Sequence, residues 1–192
     1  MIPVARVKKP RGFDTHVKLP GNAWLANNHS ATRPPAMWAP YTAQLSDGFG
    51  NLCGDAAMHD PTGGTVDHFL SFKHHRDLAY EWRNYRFASG PLNSSKRDAD
   101  DAVLDPFEVG ADWFEVILPS LQMRVTDAVP EAYRAKAEFT LSRLKLRDGE
   151  RVVRWRRSWY RMYIEGKLTL DGLRTVAPLL AAAVETQAQV QP

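Results

Sequence analysis

The amino-acid sequence predicts an α+β fold, with short strands in the middle of the chain and helices towards its C-terminal end. Two short strand-like runs lie between residues 54 and 98, one ending at Asp67-His68 and one opening with Asn84. The segment DPFEVGADWFEVILPSLQMRVTD then alternates enough to predict one or two further strands, the first closed by Pro119. The remainder has a helical pattern, so strands and helices occupy separate parts of the chain.

The composition is that of an ordinary globular protein. A chain of 192 residues with 44% hydrophobic and 24% charged residues can bury a core of its own. No apolar run approaches the roughly 20 residues of a membrane span, and the N-terminal MIPVARVKKPRGF lacks the apolar stretch of a secretory signal. The single cysteine, Cys53, excludes an internal disulfide framework and an all-cysteine zinc site, and it favours the cytoplasm.

The N-terminal part is predicted to be an irregular arm. Residues 1–40 are rich in proline, asparagine and histidine, with apolar anchors at Trp24, Leu25 and Trp38. A short helix is predicted from Tyr41 to Leu52, ending at Gly48 or Gly50. The predicted regions are the arm with its short helix (1–50), a core (51–110), and a strand segment followed by C-terminal helices (111–192).

The C-terminal region contains a predicted helical hairpin that breaks at Asp148-Gly149. Its second helix carries an apolar stripe of helical period and arginines on the other side. The stripe consists of Val152, Trp155, Trp159, Met162 and Tyr163, and the arginines are Arg147, Arg151, Arg154 and Arg161, flanked by Arg156 and Arg157. The arginines either solvate the back of a core-facing helix or form a face that binds phosphate groups.

Charge is distributed unevenly along the chain. Residues 98–128 contain eight acidic side chains against one arginine, whereas residues 131–167 contain eleven basic and five acidic ones. The formal net charge is only +3. The two blocks either neutralise each other or present a basic face to a polyanion.

Four polar side chains follow one another in an order that indicates chemistry. Asp67 and His68 come after the Gly63-Gly64 turn, Asn84 opens the second strand, and Asn93 follows where a short polar helix begins. Two strands and a helix can bring these side chains into one cleft. A carboxylate and an amide oxygen suit a hard divalent cation, and a neutral imidazole can deprotonate water for attack on phosphorus.

The segment VDHFLSFKHHRDLAYEWRNYRFASGPLNSSKRD resembles the core of the HNH endonucleases, the ββα-metal nucleases. It is similar to the subgroup with Asp-His-Phe, Tyr-x-Trp-x-Asn and Asn-Ser-x-Lys motifs, some members of which are nuclease partners of an ATPase in bacterial anti-phage modules of the Septu type. The resemblance is closest over residues 65–98 and extends loosely over 50–165. It implies a ββα-metal core within residues 51–110.

The resemblance implies a role for each member of the polar set. His68 would be the general base, Asp67 and Asn93 would bind one Mg²⁺ or Mn²⁺ ion, and Asn84 would brace the loop and orient His68. Basic side chains close to the set are candidates for binding nucleic-acid phosphates, although each is equally an ordinary solvated residue. They are Arg83, Arg86, Lys96 and Arg97, to which the helical Arg151 and Arg154 are added.

One feature of the family is missing. Many members hold a structural zinc ion with two Cys-x-x-Cys pairs, and the matching positions here are Cys53, Ala56, Ser89 and Leu92. A structural zinc ion is therefore not expected, and a residual Cys53-His59 pairing is a weaker alternative. Without a zinc ion, the fold is predicted to be held by aromatic packing through Trp82, Tyr85, Phe87 and Phe107. The loop histidines His74 and His75 either reach the metal or a phosphate, or face solvent.

These features predict a cytoplasmic, metal-dependent endonuclease that acts on nucleic acid, more on DNA than on RNA. The resemblance adds an ATPase partner in a defence module. A cut through both strands favours a homodimer, for which the apolar arm around Trp24 and Trp38 is a candidate interface. The alternative is a non-catalytic subunit that binds nucleic acid or a partner through a degenerate scaffold. A metal-dependent regulatory protein without nucleic-acid contact is a third possibility, which the arginine face disfavours.

Overall fold

The computed structural model describes residues 1–190 and confirms the predicted α+β class. Its strands form three separate antiparallel hairpins. The strands are β1 (Leu52–Cys53), β2 (Met58–His59), β3 (Thr65–His68), β4 (Tyr85–Ala88), β5 (Phe114–Ile117) and β6 (Gln122–Val125). The α-helices are α1 (Leu19–Asn27), α2 (Thr42–Gly48), α3 (Gly90–Lys96), α4 (Glu131–Arg143), α5 (Glu150–Ile164), α6 (Leu170–Val176) and α7 (Pro178–Val190).

The central hairpin positions the polar set. Strand β3 pairs with β4 so that Asp67 faces Arg86 and His68 faces Tyr85. The turn before β3 depends on Gly63 and Gly64, whose φ angles of 83° and 58° lie in the left-handed region. Helix α3 starts directly after β4 and packs against β3. The hairpin and the helix thus follow one another in the predicted order.

The N-terminal arm is not wholly irregular, and that part of the prediction was wrong. A π-helical turn, Asp14–Lys18, runs directly into helix α1. Pro20 lies where the π-helical turn passes into α1, next to Leu19, whose N–H donates to the carbonyl of Asp14 five residues back, and this junction accommodates a residue without an N–H. Gly21 permits close packing, since a Cβ atom there would lie 2.3 Å from Cγ of Tyr80.

Two hydrophobic cores flank the central hairpin. The first joins the C-terminal helices to β5 and β6 and reaches Cys53 and Leu92. The second joins the arm and α2 to the hairpin through Val66, Tyr85 and Phe87. The second core contains the aromatic residues predicted to hold the fold, with Trp82, Tyr85 and Phe87 buried and Phe107 packed against them.

The arm's apolar anchors also belong to this second core. Trp24, Leu25 and Trp38 are partly buried against it. Trp38 lies edge-on to His68 and is tilted against Tyr85, so it does not project from the molecule. The arm therefore serves the fold of its own chain first, and a dimer through Trp24 and Trp38 remains a prediction.

The C-terminal helical hairpin forms as predicted, with α4 and α5 separated by Asp148-Gly149. Val152 is buried, whereas Met162 of the predicted stripe is 37% exposed. Arg156 is buried and donates from Nη1 to the carbonyl of Leu121 at 2.9 Å and from Nη2 to that of Leu146 at 2.7 Å. Arg156 therefore stabilises the turns that contain Leu121 and Leu146 and is not part of the arginine face. Among residues 1–190, none of the helices has the length and apolarity needed to traverse a bilayer.

Candidate functional site

The candidate site lies where β3, the loop after it and helix α3 meet. Side-chain Nδ2 of Asn93 donates to the carbonyl of Val66 at 3.3 Å, so α3 holds Asn93 against the strand that carries Asp67 and His68. Asp67 is directed towards α3, where it meets Lys96, and His68 is directed towards the aromatic core. The alternation of side chains along a strand accounts for these opposite directions, so Asp67 and His68 do not share one face of the hairpin as the predicted common cleft requires.

His68 is held in one defined tautomer. Its Nε2 lies 2.8 Å from the carbonyl oxygen of Ala79, and because a carbonyl only accepts, Nε2 carries the hydrogen. Nδ1 is then left with a free lone pair. The ring packs edge-on against Trp38 and Tyr85, with centroid distances of 4.5 and 5.1 Å. Burial lowers the pKa of His68 below its ordinary value, which favours the neutral imidazole that a general base requires.

The carbonyl of Ala79 is a contact of the predicted base His68 that sequence reasoning missed. It accepts a second hydrogen bond, from the hydroxyl of Tyr85 at 2.7 Å. A backbone carbonyl leaves no signal in the sequence, because any residue supplies one. The aromatic residue opposite His68 in the hairpin was the available clue.

Asn84 braces the loop, as predicted. Its buried side chain accepts from the N–H of Leu70 at 2.8 Å and donates to the carbonyls of Leu70 at 2.9 Å and Leu78 at 3.2 Å. It makes no direct hydrogen bond to His68 among these contacts. Its influence on His68 passes through Leu78, the neighbour of Ala79, which makes Asn84 a positioning residue.

Lys96 has a different role from the predicted one. It is 1% exposed, and its ammonium group donates to Oδ1 of Asp67 at 3.1 Å and to the carbonyls of His68 and Phe69 at 2.9 and 2.8 Å. A lysine buried in this way cannot reach a nucleic-acid phosphate, so that prediction was wrong. The ammonium group places a positive charge beside the carboxylate that was predicted to bind a cation.

The donor atoms of the predicted metal site are hard oxygens. The Nδ2 group of Asn93 donates to the carbonyl of Val66, the residue before Asp67, which leaves Oδ1 of Asn93 as an acceptor. Such donors suit Mg²⁺ or Mn²⁺, whose remaining positions are filled by water and phosphate. Across residues 1–190, no group of three or more His, Cys, Asp or Glu side chains is arranged to bind a metal ion. The predicted ligands, Asp67 and Asn93, are one aspartate and one asparagine and do not make up a group of this kind.

A second buried carboxylate, Asp55, lies close enough to Asp67 for the negative charge of Asp67 to affect the pKa of Asp55. Burial raises the pKa of Asp55 to about 7, and the negative charge of Asp67 adds to this effect. Sequence reasoning missed Asp55 because it lies in a turn among small residues, where an aspartate is ordinary.

Replacing Asp55 with asparagine should stabilise the protein more at alkaline than at acidic pH. A carboxyl group whose pKa is raised by folding favours the folded state below its unfolded pKa of 3.8, and this contribution is lost as pH rises to about 7. The gain from Asp55→Asn should therefore be larger at pH 8.5 than at pH 5 by about 3 kcal/mol. Urea denaturation at both values measures it, with the exposed Asp47→Asn as control; equal gains at both pH values would contradict it.

The basic residues divide into buried and exposed groups. Arg86 is buried and forms a bidentate pair with Asp105, with both N–O distances at 2.6 Å, and its guanidinium group stacks on Phe107. The prediction that Arg86 binds nucleic acid was therefore wrong. The other predicted arginines are exposed: Arg83, Arg97, Arg151 and Arg154. Arg154 pairs with Glu150 at 3.5 Å in an exposed contact.

The loop histidines contact an aspartate beyond α3. Nδ1 of His74 lies 2.6 Å from Oδ2 of Asp100, while the nearest approach of His75 to that oxygen is 3.9 Å. Asp100 also accepts from the N–H of Ser71 at 2.6 Å. His74 thus helps to fasten the loop while its side chain stays exposed, which agrees with the solvent-facing alternative.

The four positions that the HNH resemblance matches to zinc ligands are filled by packed side chains. Cys53, Ala56, Ser89 and Leu92 are all buried. Sγ of Cys53 accepts from the N–H of Ser89 at 3.2 Å, and burial raises the pKa of this thiol to about 12. Cys53 is therefore a protonated core residue, and its strand register pairs it with Met58 rather than His59.

The fold and the site define an α+β protein in which a β-hairpin and the helix after it hold a neutral histidine, an aspartate and two asparagines. No family model, no curated protein and no solved structure matches the chain.

Proposed function

We propose that the protein is a metal-dependent endonuclease that hydrolyses the phosphodiester bonds of nucleic acid, with DNA as its main substrate. The observation that supports this most is the hydrogen bond from Nε2 of His68 to the carbonyl of Ala79. It leaves Nδ1 as a base on a neutral ring whose pKa is lowered by burial. A structural histidine satisfied at both nitrogens would have no free base to offer.

The proposed mechanism requires the scissile phosphate to reach both faces of the chain at the end of β3, where Nδ1 of His68 accepts a proton from the water that attacks phosphorus. Asp67 and Asn93 would hold Mg²⁺ or Mn²⁺, which when bound stabilises negative charge on the phosphate and the leaving oxygen. Asn84 keeps the loop closed so that the Ala79 carbonyl retains its position below His68. Tyr85 donates to the same carbonyl and fixes it from the other side.

The exposed arginines supply the proposed nucleic-acid contacts. Arg83 and Arg97 lie at the two ends of the segment formed by β4 and α3. On α5, Arg151 and Arg154 continue into Arg157 and Arg161 along exposed positions that are three or four residues apart. Arginines on one helix face bind phosphates without reading bases, so binding through them should weaken strongly as salt is raised.

The resemblance extends the proposal to the cell. We propose that the protein works in the cytoplasm as the nuclease of an anti-phage module, with an ATPase as partner. A nuclease that endangers its host benefits from such a partner, which would keep it inactive until infection.

A second candidate function is favoured by the contact between Lys96 and Asp67. The ammonium group already neutralises the carboxylate and contacts two backbone carbonyls beside it. A scaffold in which this internal cation replaces the metal ion would bind nucleic acid or a partner without cleaving. Catalysis requires the carboxylate to accept a divalent ion beside or in place of the ammonium group.

Plasmid cleavage by the purified chain distinguishes the two functions. Supercoiled DNA should be nicked with Mg²⁺ or Mn²⁺, EDTA should stop the reaction, and His68→Ala should reduce the rate by at least about 100-fold because the base is lost. His74→Ala, which removes a neighbouring loop histidine, should retain more activity than His68→Ala. Salt-dependent DNA binding by the wild type without cleavage under any metal would favour the non-catalytic function.

A further inference from the structure

A cavity of 330 Å³ opens on the face of the second core, between the arm and the turn before β4. Its floor and walls are apolar and largely aromatic: Phe107 is partly exposed, whereas Trp82, Tyr85 and Leu45 are buried residues that line the cavity from behind. Its volume and apolar lining are those of small-molecule sites in proteins. The indole N–H of Trp82 donates to the carbonyl of Val7 at 2.9 Å, so one wall and the arm are joined.

Three cationic side chains stand around this apolar floor: Arg6, Lys9 and Arg83. Arg6 lies over the ring of Phe107, 5.3 Å from its centroid, which holds its guanidinium group over the aromatic wall. The backbone of Arg83 is fixed because its carbonyl accepts from Nη1 of Arg86 at 2.8 Å. Within residues 1–190, the side chain of Arg83 makes no ion pair, so its charge is available to a ligand.

The acidic groups near the cavity do not cancel this charge. Glu81, the one carboxylate in the lining, pairs with Lys18 at 2.7 Å. Lys9 has Asp14 as an ion-pair partner, and Arg6 approaches Glu108 only to 3.9 Å. These are pairs between partly or largely exposed side chains, which contribute little and exchange readily for a better anion. The cavity therefore combines an apolar floor with an excess of positive charge.

We propose that this cavity binds a nucleoside monophosphate unit, with the base against the aromatic floor and the phosphate at Arg83, Arg6 and Lys9. A planar aromatic ring with one attached anion matches both halves of the lining. An arginine recognises phosphate through several donors at once. Two sources have this chemistry, a free mononucleotide and the phosphorylated end of a strand.

Isothermal titration with AMP, adenosine and inorganic phosphate tests the site without relying on cleavage. AMP should bind with a stoichiometry of one, and adenosine and phosphate should each bind at least about tenfold more weakly, because each lacks one half of the ligand. Arg83→Gln should weaken AMP binding by about tenfold or more. Lys8→Gln is the matched control, since Lys8 is exposed beside Lys9 but does not line the cavity.

The same titration with His68→Ala separates this proposal from the nuclease, because AMP binding should be unchanged when the proposed base is absent. A 5′-phosphorylated trinucleotide that competes with AMP assigns the cavity to strand ends, and failure to compete assigns it to free mononucleotides. Thermal unfolding of Arg83→Gln within a few degrees of wild type shows that the variant is folded. Absence of saturable AMP binding at millimolar concentration, or equal losses in Arg83→Gln and Lys8→Gln, would overturn the proposal.

Discussion

Replacing Lys96 with methionine is expected to lower the free energy of unfolding by about 3–5 kcal/mol. The substitution keeps most of the side-chain volume but removes the ammonium group that contacts Asp67 and the carbonyls of His68 and Phe69. Asp67 is 4% exposed, so its carboxylate would be left buried without its partner. The cost arises from this uncompensated charge more than from the lost attraction.

A double-mutant cycle with Asp67→Asn measures the coupling in urea denaturation at pH 7. The pair Asp67→Asn/Lys96→Met should be more stable than Lys96→Met alone, since it buries no unpaired charge. Lys73→Met is the matched control. It breaks another lysine–aspartate contact, the exposed one to Asp98 at 2.5 Å, and should cost no more than about 1 kcal/mol. A Lys96→Met protein as stable as the Lys73→Met protein would show that the ammonium group does not rest on Asp67.

This cycle also bears on the proposed function. If the buried ammonium group contributes several kcal/mol, the site already contains a strongly held monovalent cation, and a divalent ion must bind beside it. The free oxygen of Asn93 and the second carboxylate oxygen of Asp67 are the atoms available for that. If the group contributes little, a metal ion can displace it at small cost.

Features set by local pattern were predictable from the sequence. The helical hairpin of α4 and α5 follows from period and from the Asp148-Gly149 break, and the order of hairpin and helix follows from turn and strand signals. The prediction of an irregular arm was wrong because its prolines were taken to exclude a helix. Pro20 instead lies where the π-helical turn passes into α1, and the helix accommodates it there.

In the site, residue types were predictable but burial was not. Lys96 and Arg86 have the composition of surface residues, and each becomes internal only because a carboxylate distant in the chain is placed against it, Asp67 for one and Asp105 for the other. Such pairs depend on tertiary packing. The same limit applies to Ala79, which acts through its backbone.

Introducing three cysteines is expected to create a zinc site at the four positions that the proposed HNH resemblance matches to zinc ligands. The variant Ala56→Cys/Ser89→Cys/Leu92→Cys adds thiols at buried positions around Cys53, whose Sγ already contacts the N–H of Ser89 at 3.2 Å. Four thiolates bind zinc tetrahedrally, with apparent binding free energies on the order of 10 kcal/mol or more at neutral pH. The variant should therefore purify with about one zinc ion per chain.

Metal analysis and the absorption spectrum of the Co²⁺-substituted protein measure this site, because tetrahedral thiolate coordination gives Co²⁺ characteristic visible bands. The controls are the wild-type chain and Ala56→Cys/Ser89→Cys, which offers three thiols and should bind zinc more weakly. In the presence of EDTA, the triple variant should unfold at a lower urea concentration than wild type. The reason is that Leu92→Cys removes core volume, and only the bound metal compensates for this loss. Zinc content no higher than that of wild type would mean that the four positions do not converge on one metal ion. The proposed resemblance would then depend on the His68 site, which cleavage tests.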